Sequence, residues 1–213
     1  MIEDRASILL LACGSLRREL EQVVARLPWP VMVDYLPPDL HMSPEELARA
    51  IEAHLERTRR LYQRVVLVYG RCAPGLDELL ERYGAERLPG EHCYEVLAGE
   101  RFKPLLQEQP GTYFLTEFLC LNFDRVIRGL GLDRYPRLKT VYFRNYTRVV
   151  YLDTGASAES GVRAKEIAAY LDLPLSTIEV GVGGLERRLV QVLERTGSSK
   201  PPEPEEATLR RSV

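Results

Sequence analysis

The stretch Ser7-Ile8-Leu9-Leu10-Leu11-Ala12-Cys13-Gly14-Ser15 decides the fold class. Its apolar run has no polar alternation. The strand it forms must therefore be covered on both faces, as in a parallel sheet between two layers of helices. Gly14-Ser15 then supplies a tight turn, and the charged amphipathic stretch up to Leu27 reads as the first covering helix.

Outward from that strand the pattern repeats. Residues 30–36, with Val31, Val33 and Tyr35, read as a second strand, closed by the Pro37-Pro38 loop. Ser43-Pro44-Glu45-Glu46 starts a long helix that periodicity carries to about Tyr62, because Ser suits the N-cap and Pro the first helical position. Val65-Val66-Leu67-Val68-Tyr69-Gly70 is a third buried strand, and Arg71-Cys72-Ala73-Pro74-Gly75 turns the chain into a short helix through residue 83. A fourth strand over residues 85–88 stops at Pro89-Gly90. This alternation predicts an α/β fold: a doubly wound, mostly parallel, Rossmann-like sheet with helices on both faces.

Residues 94–146 read as mainly helical, with Pro110-Gly111-Thr112-Tyr113-Phe114 as a short strand or an ordered loop. A second βαβ unit follows, with a strand over 148–153, a loop over 154–161, a helix to Leu171, a strand over 176–180 and a helix over 185–195. Residues 1–196 are expected to form one α/β domain that divides into halves 1–110 and 111–196. Residues 197–213, with Pro201-Pro202 and Glu203-Pro204-Glu205-Glu206, are too polar and proline-rich to bury a core and are expected to be a disordered tail.

Composition narrows the class. With 45% hydrophobic and 28% charged residues the chain resembles an ordinary globular domain, and no apolar run approaches the roughly 20 residues of a membrane span. The start, Met1-Ile2-Glu3-Asp4-Arg5, lacks the basic flank of a signal peptide, so a cytoplasmic protein is expected. A formal charge of -2, with basic residues scattered among acids, does not make the electrostatic footprint of a nucleic-acid binder. Neither nucleic acid nor membrane is an expected partner.

In a reducing compartment the four cysteines are ligands, nucleophiles or core residues rather than disulfide partners. Ligands of doubly wound sheets bind beyond the carboxyl ends of the strands. Cys13 closes the first strand, Cys72 follows the third and Cys93 follows the fourth, while His41 lies in the loop after the second. Neighbouring strands are about 4.8 Å apart, a spacing compatible with two thiolates on one ion. Cys13, His41, Cys72 and Cys93 would suit Zn2+, and soft thiolates also suit an iron–sulfur cluster or copper.

Each residue also has a structural explanation. A free cysteine behaves as a small hydrophobe, which accounts fully for Cys120 within Phe118-Leu119-Cys120-Leu121. For Cys13 packing and function weigh about evenly, because Gly14 and Ser15 also make an anion-tolerant turn that lowers a thiol's pKa. Cys72 and Cys93 lie in loops rich in Gly, Pro and charge, where packing does not call for a thiol. His54, among Glu52, Glu56 and Arg57, reads as a solvated helix position. Glu91 and His92 directly precede Cys93 and are candidates to ligate, orient a ligand or act as a general base. Asp153 ends a buried strand and serves equally as a polar contact or as a cap. Gly181-Val182-Gly183-Gly184 could cradle a phosphate but lacks the Walker lysine.

Ala12-Cys13-Gly14-Ser15-Leu16, Leu40-His41, Tyr69-Gly70-Arg71-Cys72 with Gly75, Cys93 with Gly99, and Pro110-Gly111-Thr112-Tyr113 occur in the order that marks one bacterial and archaeal family. Over roughly residues 7–195 the chain resembles the domain of unknown function family DUF1638. The resemblance implies that Cys13, Cys72 and Cys93 are the family's recurring cysteines and His41 its recurring histidine, with no counterpart for Cys120. It also implies a link to corrinoid-dependent methyl transfer, beside whose genes the family often occurs. Where the family usually reads His-Asp-Cys, this chain has Glu91-His92-Cys93.

The leading expectation is a zinc-thiolate transferase acting on a small-molecule thiol or methyl donor, with Asp153 on the far wall of its cleft. One alternative is a non-catalytic carrier of a metal, an iron–sulfur cluster or a corrinoid, working with a corrinoid protein. The other is a metal-free enzyme with one cysteine as nucleophile, activated by His41 or His92.

Overall fold

A computed structural model describes residues 8–195. The proposed tail at 197–213 therefore lies outside the described residues. The opening run forms β1 (Ile8–Cys13), every residue of which is buried. A 3-10 turn over Gly14–Leu16 leads into α1 (Arg17–Val24). Then come β2 (Val31–Leu36), a 3-10 turn over Pro38–Met42 and α2 (Pro44–Thr58). Helix α2 ends four residues before Tyr62, and Ser43 occupies its N-cap position without a side-chain capping bond. β3 (Arg64–Val68), α3 (Leu76–Tyr83) and the two-residue β4 (Glu86–Arg87) complete the first unit.

These strands form a parallel sheet in the order β2-β1-β3-β4. Strand alternation sends Ile8, Leu10 and Ala12 to one face, where they meet Leu16 from the 3-10 turn and Leu20 and Val23 from α1. Leu9, Leu11 and Cys13 go to the other face, against Leu47, Ile51, Leu76 and Leu80 of α2 and α3. The sheet is thus doubly wound, and the unbroken apolar run of β1 is what two covered faces require. Each fully buried leucine contributes on the order of 1.5–3 kcal/mol of hydrophobic stabilisation.

The stretch between the halves is helical, with α4 (Cys93–Ala98) and α5 (Phe102–Glu108). The excursion at Thr112 resolves into a strand, β5 (Thr112–Leu115), followed by α6 (Glu117–Gly129) and α7 (Leu138–Phe143). β6 (Arg148–Asp153), α8 (Ala158–Leu171), β7 (Leu175–Glu179) and α9 (Gly183–Leu193) follow. A second parallel sheet runs β5-β6-β7. It too is covered on both faces, by Cys120, Phe123, Ala164 and Ile167 on one side and by Ala98 and Phe102 on the other.

Helix α9 returns to the first sheet, burying Leu185, Leu189, Val192 and Leu193 in the same core as β1. Arg64 fastens its end, with guanidinium nitrogens donating to the carbonyls of Leu193 (3.0 Å) and Val192 (2.9 Å). The glycine run at its start has a packing role: a Cβ on Gly184 would stand 2.6 Å from the Leu97 carbonyl of α4. That close helix contact explains the glycine there without a phosphate. Among the described residues no helix is long and apolar enough to cross a membrane.

Candidate functional site

The order β2-β1-β3-β4 places its switch point at β1, flanked by β2 on one side and β3 on the other, and the carboxyl ends of such strands open a crevice. Cys13 is the last residue of β1. Cys72 follows β3 by four positions and is half-buried. Cys93 is brought to the same place by a backbone clamp. Arg71 N–H donates to the Glu91 carbonyl at 2.9 Å. Gly70 sits so close to this segment that a Cβ there would lie 2.5 Å from the Glu91 oxygen and 2.8 Å from the His92 Cα. Only glycine permits that approach of two backbones. Cys93 is thus the first residue of α4, with His92 at the N-cap, rather than a loop residue.

The three thiols open on a single cavity of about 200 Å3. All four cysteines are free. Cys13, Cys72 and Cys93 line the cavity together with Ser15, Tyr69 and His92. The opposite wall comes from the second sheet, where Thr116, Phe118 and Leu119 follow β5. The carboxyl ends of both sheets thus face one cleft. Cys120 is fully buried in the second core and does not line it.

The thiols sense one another. Burial first, then the charge of Cys13, pushes Cys72 above the ordinary thiol range. Cys93 is pushed up to about 12, by burial and then by the charges of Cys13 and Cys72. No Lys or Arg is among the described residues lining the cavity, and Arg87, outside it, only partly opposes the shift of Cys72. Cys13 Sγ is 3.0 Å from Ser15 Oγ. The Tyr69 hydroxyl is buried and has no hydrogen-bond partner of good geometry among the described residues. Burial, reinforced by Cys13, holds its phenol far above the usual value. Its neighbour is the Cys13 sulfur, so this phenol and thiol stand together in the wall of the cavity.

The remaining candidates are distributed differently. His92 lines the cavity, its ring edge-on to Phe102 at 6.3 Å between centroids. The Glu91 carboxylate pairs with Arg71 at 3.7 Å and is half exposed, and Glu91 is not among the residues lining the cavity. Gly14 lies against the Leu36 carbonyl and Pro38, where a Cβ would have 3.0–3.1 Å contacts, so it fixes the turn rather than touching the cavity. Asp153 closes its own turn, its Oδ1 accepting from Gly155 N–H at 2.9 Å, and does not line the cavity. His41 falls in the 3-10 turn over Pro38–Met42, and its side chain lies outside the described residues. Among the described residues no three His, Cys, Asp or Glu side chains are grouped so as to hold a metal ion as they stand.

His54 differs from expectation. It is buried, with Nε2 2.9 Å from Asp34 Oδ2 and Nδ1 accepting from Arg57 at 2.8 Å. Its partner on β2 lies twenty positions away in sequence, beyond the reach of a helical-face reading.

Residues 35–189 match the profile of the family described as Protein of unknown function (DUF1638). The chain belongs to that family. The matched span contains β3, the clamp at Gly70 and Glu91, Cys72, Cys93 and the second-sheet wall, so the cavity is built largely from residues within it. No curated protein matches the chain.

Proposed function

We propose that the cleft between the two sheets binds a small-molecule thiol or methyl donor, and that Cys13, Cys72 and Cys93 hold a soft divalent cation, Zn2+, beside it. The observation that carries this reading is the opening of three thiols from three separate segments on one small cavity. Sulfur donors suit zinc. Three thiols with no cationic side chain among the lining residues leave negative charge uncompensated once they ionise, and a cation compensates it. The described side chains are not grouped for ligation as they stand. When bound, zinc would supply Lewis acidity that lowers the pKa of a substrate thiol.

The chain's own groups have definite tasks. The Tyr69 hydroxyl donates to a polar atom of the ligand. Phe118 and Leu119 close the apolar wall and exclude water, and Ser15 orients the Cys13 sulfur through its 3.0 Å contact. Two observations weigh on the other readings. A metal-free nucleophile needs a thiol that ionises readily, and Cys72 and Cys93, both pushed upward, would need an activating partner for that role. A corrinoid macrocycle is far larger than a cavity of about 200 Å3, which favours a small ligand.

Elemental analysis of the purified chain tests the metal. One zinc per chain is expected, lost in Cys72→Ser and kept in Cys120→Ser. A wild-type chain that stays metal-free after zinc loading and desalting would overturn the metal reading.

A further inference from the structure

A second cavity, of about 270 Å3, lies between α1 and α6, and Ser15 and Phe118 line both it and the thiol cavity. Its character is different. Arg17, Arg18, Glu19 and Glu117 line it, with Asn122 and Gly14, and the Glu19 carboxyl is occupied by the Thr154 hydroxyl. The Glu117 side chain is only 2% exposed, and neither of its carboxylate oxygens has a hydrogen-bond partner among the described residues. Arg18 Nη1 comes within 2.9 Å of Glu117 Oε1, a contact of opposite charges that lacks hydrogen-bond alignment. Burying a carboxylate is costly unless its oxygens are hydrogen-bonded, so this one is unfinished without a donor from elsewhere. The guanidinium groups are more accessible, Arg17 at 54% and Arg18 at 57% exposure.

A ligand that completes this arrangement brings a cationic donor to Glu117 and an anion to the arginine it displaces. An α-amino-acid head does both, exchanging an imperfect ion pair for an ammonium on Glu117 and a carboxylate on Arg18. The adjoining thiol cavity then receives the side chain. We propose that this cavity is the head-group subsite of the cleft, and that its ligand is an α-amino acid carrying a thiol or thioether. The inference rests on the reading of the thiol cavity as a small-molecule site and specifies what that molecule is.

Calorimetric titration of the full-length chain with L-cysteine and L-homocysteine tests it, with variants of the ligand before variants of the protein. N-acetyl-L-cysteine, which lacks the ammonium charge, and 2-mercaptoethylamine, which lacks the carboxylate, are each expected to bind at least about ten-fold more weakly than the better amino-acid thiol. Glu117→Gln is expected to erase most of the preference for the free ammonium while sparing the binding of 2-mercaptoethanol. L-serine and L-homoserine separate the two readings. If they bind as well as their sulfur counterparts, still dependent on Glu117, the head-group subsite stands and the thiol reading falls. If 2-mercaptoethanol and the amino-acid thiols bind alike, and Glu117→Gln changes nothing, the subsite falls and the thiol reading stands. Absence of binding by both amino-acid thiols at millimolar concentration overturns the proposal. The ligand series separates these outcomes even if Glu117→Gln fails to fold.

Discussion

The carboxyl ends of the two sheets face the same cleft, yet they are finished differently. Beyond β1 and β3 the chain presents sulfur, and the Tyr69 phenol, to open space. Beyond β6, Asp153 turns back to accept from Gly155, and the Thr154 hydroxyl is taken up by Glu19 Oε1 at 3.3 Å. The same βαβ plan thus yields strand ends with chemistry available, beyond β1 and β3 and at Glu117 beyond β5, and one strand end, that of β6, where Asp153 and Thr154 are already used. A doubly wound sheet provides the crevice; which residues it leaves without partners decides whether the crevice works.

The strongest way to break this contrast is at the glycines. Gly70→Ala puts a methyl group 2.5 Å from backbone that cannot swing aside, so the Glu91 to Cys93 segment must move. We expect a loss of about 3 kcal/mol in urea unfolding, together with loss of any zinc, because Cys93 leaves the cavity. A Gly70→Ala chain of wild-type stability and metal content would show that the clamp does not position Cys93.

The cysteines sharpen the contrast at the next level. Cys120→Ser places a hydroxyl in an apolar core and should cost about 2 kcal/mol while leaving the cleft intact. Cys72→Ser, at a half-buried wall, should change the stability of the metal-free chain by about 0.5 kcal/mol or less. Denaturation of both variants after chelation reads the difference, and equal losses would mean that Cys72 is structural after all.

These contrasts also bear on what a sequence can reveal. The first sheet is legible because β1 and β3 are apolar on both faces and their turns carry Gly and Pro. Cys13 and Cys72 are legible as strand-end residues for the same reason and meet at the switch point, whereas Cys93 reaches the cavity through the backbone clamp at Gly70 and Glu91. The wall of Thr116, Phe118 and Leu119 is not legible, since it depends on how one sheet faces the other, a relation no local pattern encodes. Glu19 and Glu117 escape a sequence reading because charged residues in amphipathic helices normally face water. His54 misleads for a similar reason: its buried position depends on Asp34 from a neighbouring strand.

A smaller effect, of opposite sign, belongs to the second half. Gly161 lies within α8 and an added Cβ would meet nothing within 4 Å. Gly161→Ala should therefore stabilise the chain by about 0.5–1 kcal/mol through helix propensity alone, raising the urea midpoint without touching the cleft. Failure to stabilise would mean that α8 is packed more closely at this point than the structure shows.

The last test concerns the seam between the two ends, where Glu19 of α1 is buried beneath Thr154. Burial raises its carboxyl above the ordinary value of 4.5, with the nearby Glu117 charge adding to the effect. The folded chain therefore holds this proton more tightly than the unfolded chain, and the contribution to stability is fully present below pH 4.5 and declines as pH rises through the folded value. Glu19→Gln keeps an oxygen for Thr154 and removes the titration. The variant should match the wild type near pH 4 and become progressively the more stable of the two toward pH 8, as read by thermal melts across that range. A gap independent of pH would mean that Glu19 ionises alike in the folded and unfolded chains, its burial offset by Arg18, which would make the seam an ion-pair network rather than a contact that favours the proton.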